Sequence, residues 1–248
     1  NRGIEHAVVE EVRELCSEKA EIRIIGPGVL HAELSPEKAA LYVYRCQAVE
    51  TVSALLGKSN VNKKDFFGAI EACAKDVNWA KALNGVSSVA FSSVKDADSG
   101  MTTPEIADIL SNVIKEKAPG VNLVYKEEDA SIVVVLTNDN VFICRKLHKQ
   151  DLSRREYRVF LDRDSLRGTI AYAAFRRTGI TKGAFLDPFC RSGSVVIEAA
   201  MYAQGLAPHR YHREWLDLRP LGFSGDEKEK VLDGAEKTTP KDIIVMAR

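Results

Sequence analysis

The densest chemistry in the 248 residues lies in Asp187-Pro-Phe-Cys-Arg-Ser-Gly-Ser-Val-Val-Ile-Glu-Ala-Ala200. An apolar run, Lys182-Gly-Ala-Phe-Leu-Asp187, reads as a buried strand that enters a Gly/Ser turn, and a helix is predicted from Ser194 to Gln204. In doubly wound sheets ligands sit at the carboxyl ends of the strands. Small residues there let the backbone approach, and a helix start offers unpaired N–H groups. A nucleoside cofactor suits that geometry. The spacing alone fits a tight strand-to-helix turn with no ligand equally well.

The second candidate site is electrostatic. The chain has 35 basic and 35 acidic side chains, so any anion-binding surface must be local. Between Arg145 and Arg167 the bases Arg145, Lys146, Lys149, Arg154, Arg155, Arg158, Arg163 and Arg167 outnumber the acids Asp151, Glu156, Asp162 and Asp164. Such a run is either a solvated connection or a phosphate-binding strip. Tyr157 could stack on a base or serve a core, and His148 could touch phosphate or cap the strand before it. His209 and His212, flanked by Arg210 and Arg213, are too few for a metal site. Five cysteines, at 16, 46, 73, 144 and 190, form no CxxC pair and read as reduced thiols. Cys190 has no histidine partner that spacing identifies.

These residues need elements to hold them. Ile4, Val8, Val12 and Leu15 recur at helical spacing. The runs 21–25 and 29–33 flank Gly26-Pro-Gly28, a hairpin signature. Ser35-Pro36-Glu37 starts a second helix, and Val49 to Leu56 reads as a strand. Next come a helix over Asp65–Asp76, a strand near Val86 to Val94, and a capped helix at Thr103-Pro104-Glu105 with Ile106, Ile109, Leu110, Val113 and Ile114 on its apolar face. Strands are expected at 121–125, 131–136 and 141–144. Helical spacing resumes over Ser165 to Arg177, and a helix and one strand follow Asp226 and end near Met246. No apolar run approaches a membrane span, and no secretory leader is visible, so a cytoplasmic protein without membrane or metal partners is expected. The chain opens on Asn1 with a helix almost at once, which leads us to expect a preceding strand and a longer polypeptide.

The segment 187–200 resembles the DPxCGSGTxxIEAA signature of THUMP-containing RNA methyltransferases. Leu147-His-Lys149 and Arg154-Arg-Glu-Tyr-Arg158 look like that family's LHKRGYR stretch, and Ser165-Leu-Arg-Gly-Thr-Ile-Ala-Tyr172 is similar to the helix before its first catalytic strand. Tyr44-Arg-Cys-Gln-Ala-Val-Glu50 is similar to the LRTAxRV stretch of its N-terminal domain. The resemblance implies an α+β front half, ferredoxin-like over 1–57 and THUMP over 58–147. It further implies a basic linker over 148–164 and an α/β Rossmann-like methyltransferase domain over 165–248 that reads as incomplete. It implies S-adenosylmethionine held by Asp187, Pro188, Cys190, Ser192, Gly193 and Ser194. RNA, tRNA by family, would be held by Arg145, Lys149, Arg154, Arg155 and Arg158, with methyl transfer to an exocyclic guanine amine. Asp226 or Glu227 would be the nearest match to the acid that grips the cofactor ribose, although a solvated acidic loop is the commoner role for such residues.

Two departures stand out. Arg191 occupies the position of the loop's first glycine, and its long side chain would point into or across the space a cofactor needs. The Asn/Asp-Pro-Pro-Tyr motif of amino methyltransferases is absent, so no catalytic residue is assigned. An RNA-binding protein without catalysis is therefore the second reading, with Arg191 on RNA phosphate. An adenine DNA methylase, which would share the loop, is a third.

Overall fold

A computed structural model describes residues 2–95, 98–125, 127–159, 165–236 and 238–247. In chain order the elements are helix α1 (Glu5–Leu15), strands β1 (Ile22–Gly26) and β2 (Val29–Ala32), α2 (Pro36–Arg45), β3 (Ser53–Asn60), α3 (Phe66–Asp76), the short α4 (Trp79–Ala82), β4 (Ser88–Lys95), α5 (Thr103–Lys117), β5 (Asn122–Leu123), β6 (Ala130–Leu136) and β7 (Asn140–Lys146). Then follow α6 (Gly168–Arg176), β8 (Gly183–Asp187), α7 (Ser194–Gln204), two 3-10 turns (Arg213–Trp215 and Arg219–Leu221), α8 (Gly225–Glu236) and β9 (Ile243–Ala247).

Local chemistry accounts for the helix starts. Ser35 accepts a hydrogen bond from the Lys38 amide, with Pro36 at the first helical position. Thr102 and Glu105 form a reciprocal capping box at α5. The five apolar positions expected on α5 are all buried.

The chain divides into two compact units, Val52–Lys149 and a second built from Asn1–Thr51 together with Gln150–Arg248. In the 52–149 unit five strands lie in the order β3-β7-β6-β4-β5. β3 and β6 run antiparallel to β7, while β6 and β5 run parallel to β4. α3 and α5 pack on the sheet, α3 against β3 and β7 and α5 against β4. The core joins Phe66, Ile70 and Trp79 to Ile106, Leu110, Ile114, Ile132, Leu136 and Ile143. β6, Ala-Ser-Ile-Val-Val-Val-Leu, is buried along its whole length, as a strand covered on both faces must be. Gly57 follows a register slip in β3, and a Cβ there would meet Val77 at 2.8 Å and Cys73 at 3.1 Å, so glycine lets the strand lie against α3. The unit is clasped at its ends. Ser53 pairs with Lys146, the Leu147 amide donates to the Val52 carbonyl at 2.9 Å, and the Val52 amide donates to Nε2 of His148 at 3.1 Å.

In the other unit the β1–β2 hairpin, α1 and α2 come from the front of the chain. β8 and β9 pair in parallel from Gly183↔Ile243 to Asp187↔Ala247, with α7 and α8 lying between them in sequence. α7 packs on α6 and on both strands, and α8 packs on α2.

The expected boundary at 57/58 therefore moves. Strand 53–60 does not close a ferredoxin-like domain; it pairs with β7, and the front helices and hairpin join the second unit instead. The linker is corrected as well, because Leu152 and Arg155 within it are buried. Arg163, Asp162 and Asp164 of the basic stretch lie outside the described residues.

Glu11 on α1 is buried. It accepts hydrogen bonds from the Gln47 amide (2.7 Å), the Ala48 amide (3.3 Å) and the Tyr42 hydroxyl (3.1 Å). Burial is the largest influence and pushes its carboxyl up to about 7, against the opposing pull of these hydrogen bonds and of Arg176. A raised folded-state value means that the folded state holds the proton more tightly than the unfolded chain. The associated stability is complete below the ordinary carboxylate range and is lost as pH rises through about 7. We expect a fall of about 3 kcal/mol in unfolding free energy across that window from this group. Glu11→Gln should flatten the profile between pH 4.5 and 7 in urea titrations, and an unchanged slope would refute the assignment.

Candidate cofactor loop and its buried anchor

β8 delivers Asp187 to the end of the strand, and the loop 188–193 turns the chain into α7. Asp187 Oδ1 accepts from the Phe189 amide at 3.1 Å, and the Gly193 amide donates to the Cys190 carbonyl at 2.7 Å. Gly193 is the N-cap of α7 with φ +75°, where a Cβ would contact Ile197. Glycine suits this position. No side chain caps the helix, so its start lacks a side-chain acceptor, an arrangement suited to an anionic or hydrogen-bonding ligand. The Ser192 and Ser194 hydroxyls lie 3.2 Å apart. Thus Asp187, Pro188, Cys190, Ser192, Gly193 and Ser194 all lie on one strand-loop-helix corner. Phe189, beside them, is 84% exposed.

Arg191 has φ +45°. The backbone still takes the left-handed conformation that favours glycine, although the side chain has changed. Holding an arginine there costs about 1–2 kcal/mol.

One turn into α7, Glu198 is fully buried. Its Oε1 accepts from Arg155 Nε at 2.7 Å and from the Tyr157 hydroxyl at 2.7 Å, and its Oε2 accepts from Gln47 Nε2 at 2.7 Å. Arg155, 5% exposed, also donates to the carbonyls of Leu152 (2.6 Å) and Gln47 (2.8 Å). Gly168, at the start of α6, is needed for this packing, since a Cβ would stand 2.6 Å from Glu198 Oε1 and 2.8 Å from Arg155 Cγ. The network ties residues 47, 152–157, 168 and 198 together beneath the loop. Burial works against the Tyr157 phenolate first, and neighbouring Glu198 adds to it, so the hydroxyl stays protonated and donates.

Two expected RNA contacts are corrected. Arg155 spends its donors inside this network, and Arg145, on β7, is 1% exposed and donates to the Ala82 carbonyl. A guanidinium sealed from solvent cannot reach a phosphate. Lys149 and Arg154 are exposed and Arg158 is half-buried. Lys149 lies 3.9 Å from Asp129, and Arg158 donates to the Ser165 carbonyl at 3.5 Å. His148 is buried and accepts from the Val52 amide, and the half-buried Tyr157 donates its hydroxyl to Glu198. Asp226 and Glu227 fall in the first turn of α8 and not at the end of a strand. No metal-binding cluster occurs among the described residues, and none of their helices is long and apolar enough to cross a membrane.

The residues that sequence reasoning missed are Glu198 and Gln47. A signal was present: one carboxylate in the apolar run Ser-Val-Val-Ile-Glu-Ala-Ala-Met must find a buried partner.

Comparison with known proteins places this corner. Residues 155–246 match the UPF0020 family model, described as RMKL-like, methyltransferase domain. The match covers the basic segment from Arg155, the loop and α7. Over 244 residues the chain is 26% identical to ribosomal RNA large subunit methyltransferase K/L of Alteromonas mediterranea, covering 95% of this chain and 34% of that protein. The chain thus spans about a third of the length of the curated relatives it matches. Among solved structures it shares the fold of SMU.472 complexed with SAH (TM-score 0.71, 21% identity, 94% of this chain and 62% of that one). It also shares that of TrmN from Thermus thermophilus (TM-score 0.65, 23% identity, 80% and 59%).

Proposed function

We propose that this chain carries the cofactor-loop portion of an S-adenosylmethionine-dependent RNA methyltransferase that acts on an exocyclic amine of a guanine in tRNA. One observation carries the reading: a parallel strand pair feeds an uncapped helix start through the loop 187–193, inside the stretch that matches a methyltransferase-domain model. The names of the relatives support RNA as the partner. A cytoplasmic setting and a THUMP role for the 52–149 unit belong to the same proposal.

The residues fit the cofactor at all but one position. When bound, S-adenosylmethionine supplies an electrophilic methyl group. Gly193 brings the backbone close, the first-turn amides of α7 and the hydroxyls of Ser192 and Ser194 offer donors, and Asp187, Pro188 and Cys190 shape the loop wall. Lys149, Arg154 and Arg158 attract phosphate without reading sequence. The proton released from the target amine is not assigned to any residue of these 248, which lack the Asn/Asp-Pro-Pro-Tyr motif. Orienting the cofactor is the share of the chemistry that this chain performs.

Arg191 favours a second reading, an RNA-binding protein that has lost its cofactor. Calorimetric titration of S-adenosylmethionine into the native chain and into Arg191→Gly separates the two. We expect both to bind, the glycine variant more tightly and about 1 kcal/mol more stable, because the left-handed strain is relieved. Binding by the variant alone would establish the second reading. Binding by neither would remove the cofactor from the proposal.

A further inference from the structure

The segment 210–215 is anchored at its ends by side chains that are buried, Ala207 and His209 before it and Leu216 and Leu218 after it, so its exposed residues are presented on a held turn. Tyr211 is 69% exposed, and the Arg210 guanidinium lies 4.6 Å from its ring centroid. His212 stacks on Trp215 with centroids 4.0 Å apart and planes 6° apart. Arg154 approaches the same indole at 5.5 Å. Glu214, at 2.9 Å, and Glu156 hold the two ring nitrogens of His212 and fix the plane of the stack. The two carboxylates are thereby occupied with His212. Arg154 and Arg210 form no ion pair with a described residue.

We propose that Tyr211 and Arg210, with the Trp215–His212 stack and Arg154 beside them, form a stacking surface for an unpaired base of single-stranded RNA. The proposal rests on the RNA-binding reading and adds a site and a strand state to it. An exposed phenol ring with one guanidinium against it, and a second guanidinium on the Trp215 indole, offer a flat, polarisable face and cations for the neighbouring phosphates, the combination by which unpaired bases are held. Bases within an A-form duplex are already stacked on each other and cannot reach such a ring. A buried aromatic would have served a core, but Tyr211 covers none.

The test is fluorescence anisotropy of the full chain with a labelled single-stranded 10-nucleotide RNA and with the blunt duplex of the same sequence, at one fixed salt concentration. We expect tighter binding of the single strand, about a tenfold loss of that affinity in Tyr211→Ala, and affinity within about twofold of native in Tyr211→Phe, which keeps the ring. If the native chain binds RNA and Tyr211→Ala binds it equally well, or if duplex and single strand bind alike, this surface is refuted while the RNA reading stands. If the native chain binds neither RNA, the RNA reading falls and this inference with it.

Discussion

Glu198→Ala is expected to lower the unfolding free energy of the unit that contains it by about 3–5 kcal/mol, because it strands the Arg155 guanidinium in a buried site. Arg155, Tyr157 and Gln47 all direct donors at the lost carboxylate, and Arg155 and Gln47 are buried away from water. Urea unfolding followed by near-ultraviolet circular dichroism reads the effect. The paired replacement Arg155→Met with Glu198→Leu should recover part of the loss, since it removes the stranded guanidinium along with the carboxylate, while Tyr157 and Gln47 still lose their acceptor. A single variant within about 1 kcal/mol of native would show that the network is not holding α7 against the residues before Arg158.

Trp79→Ala should be comparably severe in the other unit, at about 3–5 kcal/mol for emptying a large aromatic site. Trp79 is buried among Ile70, Leu110 and Ile114, and its indole N–H donates to the Ala74 carbonyl at 2.7 Å. Trp79→Phe keeps the ring volume in part and loses the hydrogen bond, with a smaller expected cost of about 1–2 kcal/mol. Hydrogen exchange gives the location: protection of the β6 amides should drop in Trp79→Ala. Unchanged protection there would contradict the core assignment.

The two cases show which parts of this molecule the sequence makes legible. Thr103, Pro104 and Glu105 announce α5 because helix starts are set locally, although the cap itself falls on Thr102, and Ser35 and Pro36 do the same at α2. The turn Gly26-Pro-Gly28 likewise marks its hairpin, and the corner at Asp187–Ser194 is visible because its glycine and serines respond to a backbone bend a few residues long. Pairing over long separations is not written locally. Arg155 lies 43 residues from Glu198, and in a run of arginines nothing distinguishes the one that is buried. A strand was legible at 49–56 but lies four residues further on, at Ser53–Asn60, and its partner β7 is about ninety residues away, a pairing that moved the boundary. Asp226 and Glu227 were candidates for the ribose acid by resemblance alone, and they lie in the first turn of a helix, which acids favour.

The clasp at Val52 and His148 has a consequence for synthesis. The 98 residues of the 52–149 unit interrupt the other unit, whose first 51 residues leave the ribosome well before Arg155 and Glu198 exist. At about 5–20 residues per second the front helices and hairpin wait on the order of 7–30 s until Glu198 has been made. The inserted unit meanwhile has both of its ends side by side and its own apolar core, so it can close first. In the cell the early segment, with Tyr44, Arg45 and Gln47 still lacking the later residues they bond, is the stretch that a chaperone would need to hold.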